Sequence, residues 1–274
     1  MADPRQIEPR LTELTNPLTG GPGIYYIPET ASTMAEARKL AAAGVGSGTV
    51  IITDFQSEGR GRLSERRWVS QPGESLLFTV IFTKADLSRR MDGRPVTLLP
   101  LLCGLAAAWA AEDYLAGRGE FWNLSIKWPN DILAGGRKLC GILCEASGNG
   151  VFAGIGINLN QRSFPGNLRT PACSVRQLLT GDGGPAGASE AAEEDKYRLL
   201  ELLLLKLDEA LGRGDWRQLI EQRLYNAGKH VKIKPGLSED AEILEGRLIG
   251  INDSGALLVD TPNGVVPVFS GAQL

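Results

Sequence analysis

Apolar positions recur along this chain in two rhythms, and the rhythm changes near residue 228. Before that point, short apolar runs alternate with segments of helical period. Val50-Ile51-Ile52-Thr53 and the run from Leu76 to Phe82 predict strands, with a polar Arg/Gly-rich loop between them. Thr33-Met34-Ala35-Glu36 has capping-box spacing ahead of Ala-rich sequence and Gly44 is a stop, so a helix is predicted from Thr33 to Ala43. The apolar, Ala-rich stretch from Val96 to Leu115 predicts a buried helix with Pro100 near its start. Ser125 to Trp128, Leu139 to Glu145 and Val151 to Leu159 predict three further strands joined by Asn-Asp and Gly-Gly turns. A leucine-dense helix from Asp195 to Leu211, closed by Gly212, and a second from Trp216 to Tyr225 complete the first part. Beyond Gly228 the period is two, in Val231 to Ile233, Ala241 to Ile251, Ala256 to Val259 and Val265 to Phe269, with Ser254-Gly255 and Asn263-Gly264 as hairpin turns.

The expected fold class is therefore α+β: a mixed sheet covered by helices over residues 23–228, then a small C-terminal β-barrel over 229–274. Residues 1–22, broken by Pro and Gly, read as an irregular lead-in too short for a helix-turn-helix unit. Gly181 to Glu194, rich in Gly, Ala and acid, reads as a mobile loop.

Composition narrows the chemistry. The 274 residues carry a net charge of −3, so affinity for polyanions would have to be local. The single histidine, His230, excludes a His-rich metal site and makes any Ser/His or Cys/His device depend on one residue. Four cysteines at 103, 140, 144 and 173 form no C-x-x-C pair, which fits a reducing compartment. With no apolar leader and no unbroken run of about 18 apolar residues, the expectation is a soluble cytoplasmic protein with neither membrane nor DNA as partner.

The sharpest signal is Gln56-Ser57-Glu58-Gly59-Arg60-Gly61-Arg62, followed by Arg66-Arg67-Trp68. Glycine lets backbone N–H groups approach an anion, and arginine offers a planar fork for carboxylate or phosphate oxygens. The plain alternative is a solvated basic loop. Lys127-Trp128-Pro129-Asn130-Asp131 and Arg137-Lys138-Leu139-Cys140-Gly141-Ile142-Leu143 add cations at the ends of predicted strands. Gly154-Ile155-Gly156-Ile157-Asn158 would let a flat ligand lie against the backbone. Neither a Walker A pattern nor a dinucleotide fingerprint is present. Trp68 and Trp128 read equally well as ligand walls or as packing, Cys140 and Cys144 as core thiols on one strand face, and His230 as a surface or packing residue.

Taken in order, Ser32-Thr33, Gln56 with Gly59-Arg60-Gly61-Arg62 and Trp68, Lys127-Trp128-Pro129-Asn130-Asp131, Arg137-Lys138-Leu139-x-Gly141-Ile142-Leu143 and Gly154-x-Gly156-Ile157-Asn158 resemble the biotin–protein ligase family, also called biotin–acetyl-CoA-carboxylase ligases or holocarboxylase synthetases. The resemblance spans about residues 24 to 160, and the tail fits it as well. It implies a catalytic domain like those of class II synthetases and lipoate ligases, biotin and ATP as substrates, and Mg²⁺ as cofactor. The implied partner is the biotin carboxyl carrier domain of acetyl-CoA carboxylase or a related biotin enzyme, with the ligase a monomer or homodimer. It implies catalytic roles for Arg62, Lys138, Lys127 and Asp131. Substrate contacts are implied for Ser32, Thr33, Gln56, Gly59, Arg60, Gly61, Arg62, Trp68, Asn130, Lys138, Gly141, Gly156 and Asn158. Two departures stand out: Glu58 replaces a small residue, and the stretch from Leu63 to Arg67 is one residue longer than the common loop. A lipoate–protein ligase and a non-catalytic sensor of biotin or its adenylate are the competing readings.

Overall fold

The two rhythms fold into two sheets. The computed structural model describes residues 14–19, 23–62, 67–180, 193–236 and 241–273. In chain order the first part contains β1 (Ile24–Thr30), α1 (Thr33–Ala42), β2 (Val50–Gln56), β3 (Ser75–Thr83), α2 (Lys84–Arg90), α3 (Leu99–Ala116), β4 (Ser125–Lys127), β5 (Asp131–Ala134), β6 (Arg137–Ser147), β7 (Gly150–Asn158), α4 (Val175–Thr180), α5 (Glu193–Gly212) and α6 (Trp216–Glu221). The second contains β8 (His230–Pro235), β9 (Leu244–Ile251), β10 (Leu257–Thr261), β11 (Gly264–Val268) and β12 (Gly271–Gln273).

Strands β1 to β7 form one sheet in the order β1-β2-β3-β7-β6-β5-β4. Only β1 and β2 run parallel, and α1 is the crossover that a parallel neighbour requires. The sheet is buried on both faces, which is why β2 and β3 read as continuous apolar runs rather than alternating ones. On one face Ile51, Ile81 and Phe152 pack with Met34 and Ala37 of α1. On the other, Val50, Ile52, Phe78 and Val80 join the large core that includes α3 and α5. Helix α3 is apolar on every side because it is enclosed. With the turn before it, it is long and apolar enough to cross a membrane by composition alone, yet here most of it is buried within the fold. Gly104 leaves room for Ile132, whose Cδ1 would lie 3.2 Å from an added Cβ. Pro100 sits in the first helical turn, where a missing N–H costs nothing.

Strands β8 to β12 form an antiparallel sheet in the order β11-β10-β9-β8-β12. The expected small barrel is thus five strands whose two edges, β11 and β12, share no ladder among the described residues. Five elements were not anticipated, β1 being the first in the chain. Helix α2 follows β3 without a break, its first turn capped by Thr83 Oγ1 accepting from Asp86 N at 3.2 Å. Strand β5 occupies what reads as an Asn-Asp turn, and α4 and β12 had no periodic signal. The helix expected to reach Tyr225 ends at Glu221.

Within the lead-in, Asn16 Nδ2 donates to Gly48 O at 3.0 Å, and Leu18, 2% exposed, joins the core. Residues 1–13 and 20–22 of the lead-in, and residues 181–192 of the expected mobile loop, lie outside the described residues. His230 is exposed at the start of β8, and Cys103, Cys140 and Cys173 are buried free thiols.

Candidate active site

Strands β3, β7 and β6 present three consecutive cross-strand rows to α1. The first is Leu77, Gly156 and Gly141; the second is Thr79, Gly154 and Leu143; the third is Ile81, Phe152 and Glu145. Over the first two rows lies a cavity of about 240 Å³, closed by α1 on one side and by the Arg/Gly-rich loop on the other.

The first row is flat because it must be. The Trp68 ring rests on the paired glycines: a Cβ added at Gly156 would lie 3.0 Å from Trp68 Cε2, and one at Gly141 3.0 Å from Trp68 Cζ3 and 3.1 Å from Lys138 Nζ. Trp68 is held there by its backbone N–H donating to Gly59 O at 2.9 Å and by the bridge between Arg60 and Arg67. Its indole Nε1 is buried without a hydrogen-bond partner among the described residues. Lys138 Nζ lies 5.9 Å from the Trp68 ring centre and 2.7 Å from Asp131 Oδ1. Both side chains are partly exposed, so the ion pair supplies orientation more than stability. Asn130 is fixed opposite β6, its Nδ2 donating to Ile142 O at 2.7 Å while its carbonyl accepts from Ile142 N at 2.9 Å.

The second row is polar on one side. Gln56 Oε1 accepts from Thr33 N at 2.8 Å and from Thr33 Oγ1 at 3.0 Å, and Thr79 Oγ1 donates to Thr33 Oγ1 at 2.9 Å. Ser32, not Thr33, is the N-cap residue of α1, and its side chain makes no cap bond. The Thr33 hydroxyl that a capping box would use is engaged in the cavity instead. Met34 covers Gly154 from above, its Cε 3.0 Å from an added Cβ.

Residues 25–161 match the biotin/lipoate A/B protein ligase family, and residues 227–273 match the biotin protein ligase C-terminal domain. The chain belongs to the biotin/lipoate A/B protein ligase family. It is 34% identical to a biotin–[acetyl-CoA-carboxylase] ligase of Paracoccus denitrificans, over 88% of this chain and 98% of that one. It is 31% identical to the bifunctional ligase/repressor BirA of Bacillus spizizenii, over 91% of this chain and 73% of that one. Its structure resembles that of the biotin protein ligase from Aquifex aeolicus in complex with biotin and ATP, with a TM-score of 0.72 and 27% identity over 92% and 97% of the two chains.

Of the residues that the ligase-family motifs single out, Ser32, Thr33, Gln56, Arg60, Gly61, Arg62, Trp68, Asn130, Asp131, Lys138, Gly141 and Gly156 line the cavity. Three do not. Gly59 is buried behind Trp68, whose carbonyl would meet a Cβ at 2.9 Å. Lys127 reaches toward Thr170, with Nζ 3.4 Å from its Oγ1. Asn158 is 6% exposed, and its Nδ2 donates to Lys138 O at 3.2 Å and Cys173 O at 3.0 Å, so it clamps two backbone segments behind the cavity. Arg62 donates from its guanidinium to the Gly271 carbonyl on β12, which brings the second sheet to the rim of the loop. Arg66 and the extra length of the loop fall in residues 63–66, outside the described residues. Trp128 is not a ligand wall: it is 2% exposed and its Nε1 donates to Gly255 O at 2.9 Å. The departure Glu58 does line the cavity.

Sequence reasoning missed Arg38, Glu145, Met34, Thr79 and Phe78 as lining residues. Met34 and Arg38 stand one helical turn apart, a spacing that places both on one face of α1. Two buried thiols of the core, Cys140 and Cys103, are held in the protonated form. Burial pushes the Cys140 thiol far up despite the nearby Lys138, and a hydrogen bond with Cys144 together with burial does the same for Cys103.

Proposed function

We propose that this protein activates biotin with ATP and transfers the biotinyl group to a lysine of a biotin carboxyl carrier domain. The observation that carries it is one cavity with a polar Thr33–Gln56–Thr79 cluster in one row and Lys138 with a glycine-floored Trp68 in the next. Biotin has a head group of amide-like donors and acceptor and a carboxylate at the far end of an apolar chain. The two rows offer complementary chemistry in that order.

In the first step a biotin carboxylate oxygen attacks the α-phosphorus of ATP; the new O–P bond forms as the bond to pyrophosphate breaks. In the second, the carrier lysine nitrogen attacks the acyl carbon of biotinyl-5′-AMP, AMP leaves, and the amine proton passes to a base. No protein nucleophile is needed, which suits a site without histidine. The first step brings anions together, so its barrier falls through positioning and cationic stabilisation. Lys138 meets the carboxylate and α-phosphate, and Arg60, Gly61 and Arg62 close over them. Thr33, Ser32 and Gln56 hold the head group, and Trp68 packs along the chain with its indole N–H available to a ligand oxygen. Asp131 orients Lys138. Asn158 acts indirectly, by holding the Lys138 backbone, and Lys127 acts through the segment around Thr170.

Mg²⁺ belongs to the same proposal. Among the described residues no three His, Cys, Asp or Glu side chains gather as a metal cage. Mg²⁺ commonly takes one or two carboxylates and completes its shell with substrate phosphates and water, and Asp131 fits that role for an ion arriving with the nucleotide. Such an ion would lessen the repulsion between carboxylate and polyphosphate. We take residues 23–228 as the catalytic unit and 229–274 as its small companion, and the free cysteines fit a cytoplasmic location.

The test is pyrophosphate exchange into ATP with biotin, lipoate or no acid. Exchange dependent on biotin supports the proposal. Exchange with lipoate alone moves the protein to the lipoate branch of the family, and biotin binding without exchange makes it a sensor.

A further inference from the structure

The third cross-strand row lies beyond the polar cluster, on the side away from Lys138. There Glu145 on β6 is paired with Phe152 across the sheet, and its carboxylate forms an ion pair with Arg38 of α1. Both charged side chains line the cavity and both are partly solvent-exposed, at 41% for Arg38 and 36% for Glu145. They therefore stand between the cavity and water at its far end. Gly141 and Glu145 are four strand residues apart on one face, about 13 Å at 3.3 Å per residue. That distance is the run from the Trp68 floor to the charged pair.

We propose that the Arg38–Glu145 ion pair is the end wall of the acid-binding cavity and sets which head groups the enzyme accepts. This inference rests on the reading that the acid's carboxylate lies at Lys138 and its head group at Thr33 and Gln56. No other side chain named in the third row closes that end: Ile81 and Phe152 belong to the apolar cluster beneath α1. A partly exposed ion pair contributes little to stability. Its consequence is steric and electrostatic, since a head group enlarged on the ring side must either displace the pair or meet two charges without hydrogen-bonding to them. An acid lengthened between ring and carboxylate presses on the same wall from within.

The experiment compares pyrophosphate exchange for biotin and for biotin carrying a methyl or benzyl substituent on a ureido nitrogen or at the ring sulfur. The enzymes are the native protein, Arg38→Ala/Glu145→Ala, and Arg38→Met/Glu145→Gln, which keeps the bulk and removes the charge. The native protein is expected to reject the substituted acids. The truncated variant is expected to raise kcat/KM for at least one of them, relative to biotin, by about tenfold or more, the scale of a single group in a fitted pocket. The isosteric variant should retain most of the native discrimination. Near-ultraviolet circular dichroism and the urea midpoint establish that each variant is folded. A ratio unchanged by truncation overturns the end-wall assignment. Failure of the native protein to exchange with biotin itself would instead overturn the proposed function, so the two failures are distinguishable.

Discussion

Lys138 is the side chain on which the activation step depends most directly. Removing one preorganised donor from a site that stabilises developing charge costs about 100- to 1,000-fold in rate. Lys138→Ala is accordingly expected to lose that much in biotin-dependent pyrophosphate exchange, while Asp131→Asn, which leaves the ammonium in place but loosens it, should lose less. Equal losses would mean that Asp131 does more than orient its partner. The glycine floor makes a second expectation. Gly156→Ala would place a methyl about 3.0 Å from the Trp68 ring, too close for an unmoved neighbour, and Gly141→Ala would meet both Trp68 and Lys138. Either substitution should raise the Kd for biotin by tenfold or more in calorimetric titration, with the fold intact. At this scale the sequence announced Thr33, Gln56, Trp68 and Lys138, because each lies in a short motif whose residue types suit anion and amide chemistry. It could not announce Arg38 and Glu145, whose pairing joins a helix to a strand more than one hundred residues away. Nor could it separate Asn158 from the cavity, because the partners of its amide are backbone carbonyls that no local pattern reveals.

At the scale of elements, the legible parts are those with a single period. Strands β2, β3 and β7 and helix α3 were readable because all are buried by neighbours on two sides, which imposes unbroken apolar sequence. Strand β5 was hidden by its brevity and its flanks: four residues stand between the turn chemistry of Pro129-Asn130 and Gly135-Gly136, and their strand state comes from ladders to β4 and β6. Asn158 holds such an arrangement together, joining the end of β7 to the start of β6 and to Cys173. Asn158→Ala takes the amide donor from the Cys173 carbonyl, while the Lys138 carbonyl keeps the Cys173 N–H at 2.9 Å, and a buried group left unsatisfied costs about 1–3 kcal/mol. The urea midpoint should fall accordingly, with weaker exchange as β6 releases Lys138. Helix α2 carries a pH expectation. Burial alone would raise the Asp86 carboxyl, but hydrogen bonds from Arg90, Ser47 and Arg89 outweigh it and hold the group below the ordinary value of 3.8. A carboxyl depressed by folding stabilises the folded state above its unfolded pKa, and that contribution is lost as pH falls through the folded value. Asp86→Asn should therefore lower the urea midpoint at pH 6 and reduce its further decline below about pH 4.

The two sheets act on one another through contacts made by the motifs themselves. Trp128, inside the Lys127–Asp131 motif, donates to Gly255 O in the second sheet's β9–β10 turn, and Thr97 Oγ1 donates to Ser254 O at 2.8 Å beside it. Glu221 Oε1 accepts from Ile251 N at 3.1 Å, and Arg62 and Arg169 donate to the carbonyls of Gly271 and Gln273 on β12. The small sheet thus touches the turn before β5, the loop over the cavity and the segment near Lys127. A motif reading leaves Trp128 open between ligand wall and packing, whereas the fold makes it the strut that sets one sheet against the other. Trp128→Phe keeps an aromatic ring but removes the indole N–H and some volume, leaving the Gly255 carbonyl without its donor at a cost of about 1–3 kcal/mol. Because the contacts between the sheets are numerous, the native protein should unfold in urea as one transition. The variant should lower its midpoint without a second transition and raise the KM for ATP more than it lowers kcat, since the turn carrying Asn130 and Asp131 loses its outer support. A split unfolding curve with unchanged exchange kinetics would show instead that the small sheet is an independent unit and that Trp128 serves only to attach it.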